Sequence, residues 1–131
     1  MTVDSGACDT VMPLSSCTAI SVAEFPQSKS GMSYEVANGA DIPNLGERRC
    51  LMLTPGCHTP KRITFQVADV HKPLLSVTRA ADAGFDCLLG KKGGWLIPQD
   101  WGESVPITRR GNLYFMTCWV KSDRSGFSGP P

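Results

Sequence analysis

Apolar and polar residues alternate over short runs in this chain, and turn-forming residues separate the runs. Such patterning predicts strands more readily than helices. Val3 leads into a polar, small-residue loop, and Val11-Met12-Pro13-Leu14 leaves it as a short apolar segment. Residues 15–31 are rich in Ser and Ala and predict a surface loop with a short apolar insert of Ile20, Val22 and Phe25. The clearest hairpin follows: Tyr34-Glu35-Val36-Ala37 alternates, Asn38-Gly39 is a strong two-residue turn, and Ala40-Asp41-Ile42 returns. The return arm can continue through Gly46 and residues 48–54; Pro43 lacks an N–H, which suits an edge or overhanging hairpin. Pro55-Gly56 turns the chain into an alternating strand over residues 63–70.

Leu74-Leu75 predicts a short buried strand end, and residues 76–83 a helical turn or two closed by Gly84. Residues 85–89 form a further strand before the glycine- and lysine-rich turn at 90–94. Trp95-Leu96-Ile97 then pairs with Leu113-Tyr114-Phe115-Met116 as a final meander. At least one of Trp95, Trp101 and Trp119 is expected to pack there, given the area an indole buries. Residues 123–131, rich in Gly, Ser and Pro, predict a flexible tail. Short strands, frequent turns and one short helix specify a mostly β fold, barrel-like or sandwich-like.

Composition narrows the function classes. The 131 residues carry a formal net charge of +1, which argues against a dominant phosphate-binding surface, so no nucleic-acid partner is expected. There is no apolar run of membrane-spanning length and no secretory pattern at the start, so a soluble, cytoplasmic protein without a membrane partner is the expectation. Six cysteines are expected as free thiols. Cys57-His58 with Cys50 nearby lacks a paired Cys-x-x-Cys knuckle, and neither a metal nor another cofactor is expected.

The stretch with chemical content is Asp4-Ser5-Gly6-Ala7-Cys8-Asp9-Thr10-Val11. Gly6 and Ala7 permit a sharp turn and Ser5 can tie it down, so Asp4 is presented from a rigid loop. On the tripeptide alone, Asp-Ser-Gly is also ordinary turn chemistry.

The longer stretch resembles the active-site loop of retropepsin-type aspartic proteases, whose pattern is Asp-Thr/Ser-Gly-Ala. The segment from Lys72 to Phe85, with Leu74-Leu75-Ser76-Val77 and Gly84-Phe85, is similar to the Leu-Leu-Ser-Val to Gly-Tyr/Phe segment of copia-type retrotransposon proteases. Arg110-Gly111-Asn112-Leu113-Tyr114-Phe115-Met116 resembles the end of the same polyprotein region. The three matches stand in the family's order and cover about residues 2–120.

The resemblance implies a retropepsin-like half-barrel with a flap hairpin and one short helix, active as a C2 homodimer on a peptide or polyprotein substrate. It divides the chain into a protease core at 1–90, a C-terminal β meander at 91–122 and a tail at 123–131. Asp4 would be catalytic, within an active-site loop of Ser5, Gly6 and Ala7. Asp9 and Val11, the flap residues Ala37, Asn38 and Gly39, and Leu74 and Leu75 would face substrate, with at least one of the two leucines in the core. Many retroviral enzymes place an acid after the loop Ala and pair it with a downstream Arg. Those positions are Cys8 and Val77 here, so both partners of that pair are replaced together. Retropepsins carry a strand or two before the catalytic Asp, whereas three residues precede Asp4. The resemblance therefore implies an N-terminally truncated core, or a C-terminal meander standing in for those strands.

Two other readings remain open at this level. One is a catalytically silent, transposon-derived β domain that keeps the fold as a relic or dimerising module. The other is a cysteine hydrolase using Cys8 with His58 or His71.

Overall fold

A computed structural model describes residues 1–23, 33–35 and 41–123. Among the described residues the architecture is mostly β with one short helix, and the sheet is open. The strands are β1 (Thr2–Asp4), β2 (Val11–Met12), β3 (Ser33–Glu35), β4 (Asp41–Leu53), β5 (Lys61–Ala68) and β6 (Leu74–Ser76). The helix α1 (Val77–Asp82) follows, and then β7 (Phe85–Gly90), β8 (Gly93–Pro98), β9 (Val105–Arg110), β10 (Leu113–Phe115) and β11 (Trp119–Ser122). Hydrogen bonding orders them β11-β4-β5-β2-β6-β1-β10-β9-β8-β7, with β3 paired to β4 alone. Among the described residues no helix is long and apolar enough to cross a membrane.

The arms of the expected hairpin pair antiparallel, Glu35 opposite Asp41 and Ser33 opposite Pro43. Ala37, Asn38 and Gly39 lie outside the described residues. Pro43 sits on the arm that extends past the main sheet, as a residue without an N–H requires. β4 then enters the sheet through a register shift between Asn44 and Gly46. Asn44 Oδ1 accepts the Gly46 N–H at 2.8 Å. A side chain at Gly46 is excluded twice over: its φ is +137°, and a Cβ there would meet Val22 Cγ1 at 2.6 Å.

Residues 15–23 are more than a surface loop. Ile20 is buried on Met12, Phe65 and Val67, so the apolar insert belongs to a core cluster. The loop's carbonyls turn inward onto Arg48, which is only 3% exposed. Its guanidinium donates to Ser16 O (2.6 Å), Leu14 O (2.9 Å), Ile20 O (2.9 Å) and Pro13 O (3.3 Å), and to Met12 Sδ (3.2 Å). Oriented carbonyl dipoles thus satisfy a buried cation, and no carboxylate pairs with it among the described residues.

The C-terminal part corrects two expectations. Trp95-Leu96-Ile97 does not pair with residues 113–116. Strand β9 intervenes, with Leu96 opposite Val105 on one side and Tyr114 opposite Arg109 on the other. This strand carries Pro106. It is tolerated because the ladder to β10 begins only at Thr108, leaving Pro106 with a single neighbouring strand. None of the tryptophans is buried: Trp95, Trp101 and Trp119 are 47%, 97% and 62% exposed. The period-2 alternation of β8 turns Leu96 into the core and Trp95 out, so register overrides indole size.

Hairpin β7–β8 spans residue 90, and β10 pairs with β1, so hydrogen bonding is continuous between the segments on either side. Asp123 begins the expected tail yet is buried: its N–H donates to Arg49 O at 3.0 Å and its carboxylate pairs with Arg62 at 3.3 Å. Residues 124–131 lie outside the described residues.

Candidate active site

Asp4 is the last residue of β1, and the loop from Ser5 to Thr10 returns through β2. Both stems of that loop pair with the same strand, β6. Thr2, Val3 and Asp4 run parallel to Leu74, Leu75 and Ser76, while Val11 lies antiparallel to Leu74. Two sequence segments about seventy positions apart are therefore interleaved, and Asp4 sits beside Ser76.

Polar contacts fix the loop on this base. The Gly6 N–H donates to Asp4 Oδ1 at 2.8 Å, which orients the carboxylate from its own turn. Ser76, fully buried, donates its hydroxyl to Ala7 O at 2.7 Å. The same oxygen accepts the Arg79 N–H at 3.1 Å and so caps the helix. Thr10 Oγ1 accepts the Ser76 N–H at 3.1 Å, and Thr10 O accepts the Gln66 N–H at 2.8 Å. Ala83 then closes the helix, and Gly84 follows with φ +92°, the left-handed conformation expected just past a C-terminus.

Cys8 and Val77 do not form an ion pair, but the loop and helix are nevertheless joined by one. Arg79 Nε donates to Asp9 Oδ1 at 2.6 Å, one position after Cys8 and two after Val77. This hydrogen bond, together with the Asp9 charge, pushes the Arg79 guanidinium above its ordinary value. Asp9 is therefore engaged with the helix.

The other expected positions divide by environment. Ser5 and Gly6 are exposed, and Asp4 and Ala7 are half-buried, so the turn presents Asp4 towards solvent. Leu74 is half-buried, whereas Leu75 and Val11 are buried, with Leu75 in the core cluster around Val105 and Met116. Ser76, Thr10 and Arg79 support the loop; Ser76 and Thr10 lie within the matched segments, but none of the three was expected to hold the loop. A Ser opening a helical segment was the readable sign for Ser76; the pairing of Arg79 with Asp9 depends on tertiary approach.

The six cysteines are free thiols. Cys8 is exposed, and among the described residues it makes no hydrogen bond with His58 or His71. Cys57 donates to Ser104 O and Cys50 to Arg48 O, so these sulfurs serve separate local contacts. Burial pushes the Cys50 thiol up to about 11.

No family model, curated protein or solved structure matches the chain.

Proposed function

We propose that the chain is a retropepsin-like aspartic endopeptidase that processes a retrotransposon polyprotein. In this reading two copies meet across a two-fold axis, which sets Asp4 of each opposite its mate. Two close carboxylates share one proton. The ionised member takes a proton from a bound water, which attacks the scissile carbonyl. The protonated member donates to the developing oxyanion, and the proton passes on to the departing amine. The hairpin arms β3 and β4 would carry a flap that closes over the peptide.

The observation that carries the reading is the interleaving of the Asp4 loop with Leu74–Ser76. The two segments that individually resemble the protease family are hydrogen-bonded to each other, with Ser76 tying Ala7 beneath the carboxylate turn. A loop held at both stems and at its centre offers the preorganisation that general acid–base chemistry needs. A cysteine mechanism has less support, because Cys8 lacks a hydrogen-bonded base among the described residues.

The test is digestion of a diverse peptide pool at mildly acidic and neutral pH, by the native chain and by Asp4→Asn. Cleavage should fall by several orders of magnitude in the variant, resist thiol alkylation, and rise in specific activity with chain concentration as dimers form. Cleavage that survives Asp4→Asn overturns the reading. Silence of the native chain across the pool and concentration range favours the non-catalytic β domain.

A further inference from the structure

A cavity of about 390 Å³ lies between β5, the helix and strands β8 and β9. That volume falls within the range of small-molecule sites, roughly 300–1,000 Å³. Its floor is apolar and belongs to the core: Met52, Leu75, Ala80, Leu96 and Val105 are all buried. Its rim is polar and mostly cationic, with Lys61, Arg62 and Arg79 against a single carboxylate, Asp9.

The three cations are not equivalent. Arg79 is committed to Asp9 at 2.6 Å, and Arg62 to Asp123 at 3.3 Å. Lys61 forms no ion pair within 4 Å among the described residues, although its charge helps hold the Glu103 carboxyl below its ordinary value. Lys61 also lines an adjoining cavity of about 620 Å³, shared with Ala83 and Phe85 and carrying the carboxylates of Asp100 and Glu103, so Lys61 stands where the two hollows meet. An apolar floor, a rim lysine that makes no ion pair among the described residues and an Asp9 paired with Arg79 together describe a complement to an amphiphile with one negative head.

We propose that this cavity binds an aliphatic monocarboxylate, its hydrocarbon body against Met52, Leu75, Ala80 and Leu96 and its carboxylate on the Lys61 ammonium. Asp4 does not line the cavity, and binding does not depend on the proteolytic reading. Asp9, Thr10 and Arg79 form one end of it, so the bound chain would touch the far side of the contacts that hold the Asp4 loop.

The experiment is calorimetric titration of the full chain with hexanoate, octanoate and decanoate below their micelle concentrations, alongside decan-1-ol and decyltrimethylammonium. One carboxylate should bind per chain, and each added methylene should tighten it about threefold to fourfold until the hollow is filled. Lys61→Gln should weaken decanoate about tenfold or more, and Lys61→Arg should restore most of that loss. Lys61 lies at the rim, so thermal unfolding of both variants should match the native chain. Ala80→Leu, which fills the floor, should abolish binding of every chain length. Decanol or the ammonium amphiphile binding as tightly as decanoate overturns the proposal. So does an unchanged affinity in Lys61→Gln, or the lack of saturable binding.

Discussion

Two arginines reach the N-terminal third of this chain, and they do so by opposite physics. Arg48 is 3% exposed and is held by four carbonyl oxygens of residues 13–20 with no carboxylate among the described residues. Arg79 has a side chain 55% exposed and meets Asp9 in a charge pair at the edge of the Asp4 loop. The first arrangement is structural, because a cation out of water must keep every donor occupied and the loop carbonyls are arranged around it. The second is a surface clasp, weakened by solvent and by salt, whose value lies in where it holds Asp9 rather than in its strength. The loop that follows β2 is thus anchored from within, and the loop that precedes β2 from outside.

The comparison breaks most visibly at Arg48. Arg48→Met keeps the apolar stem but strands the carbonyls of Pro13, Leu14, Ser16 and Ile20, and should lower stability by about 3 kcal/mol or more in a urea titration. A loss within experimental error of zero would mean that water replaces the guanidinium freely.

A second effect belongs to the same buried region. Cys50 is 1% exposed and stays protonated up to about 11, whereas in the unfolded chain it ionises from 9.0. The unfolded state then binds fewer protons at high pH, so stability falls as pH rises. This contribution is complete below pH 9.0 and disappears as pH rises through about 11; its full size is roughly 3 kcal/mol. Denaturant titrations between pH 8 and 11 should show a shallower alkaline loss for Cys50→Ala than for the native chain, and parallel curves would remove the assignment.

On the loop of Asp4, Ser76→Ala removes both the helix cap and the bond to Ala7, and should lower stability by about 1–2 kcal/mol. Hydrogen exchange would sharpen the point, because the Arg79 amide loses its acceptor and should exchange faster while amides of β4 keep their protection.

Arg79→Ala should be the mildest change, below about 1 kcal/mol and shrinking further in high salt. A loss as large as that at Arg48, or one indifferent to salt, would contradict the division between a buried anchor and a surface clasp.

Several elements were legible because a local rule has one physical outcome. Ser76 at the start and Gly84 past the end bracket the helix, and strands β5 and β7 follow their alternation. Pro43 was readable as an overhang, for want of an N–H. Strand β9 was not read from the sequence, and Pro106 within it is admissible only because that part of the strand has one neighbour, which is not written locally. The tryptophans misled, because apolar size says nothing about which parity of a strand faces the core.

The sequence by itself determined the strand-rich character, the short helix at Val77–Asp82 and the turn that presents Asp4. Each depends on backbone preference and on spacing within a few residues. Only the tertiary structure decided that both stems of that turn share β6, that Arg79 closes on Asp9, and that the 13–20 loop wraps Arg48. Those contacts join residues 28 to 72 positions apart. Their partners are chosen by which surfaces the sheet brings within reach, and no local pattern encodes that distance.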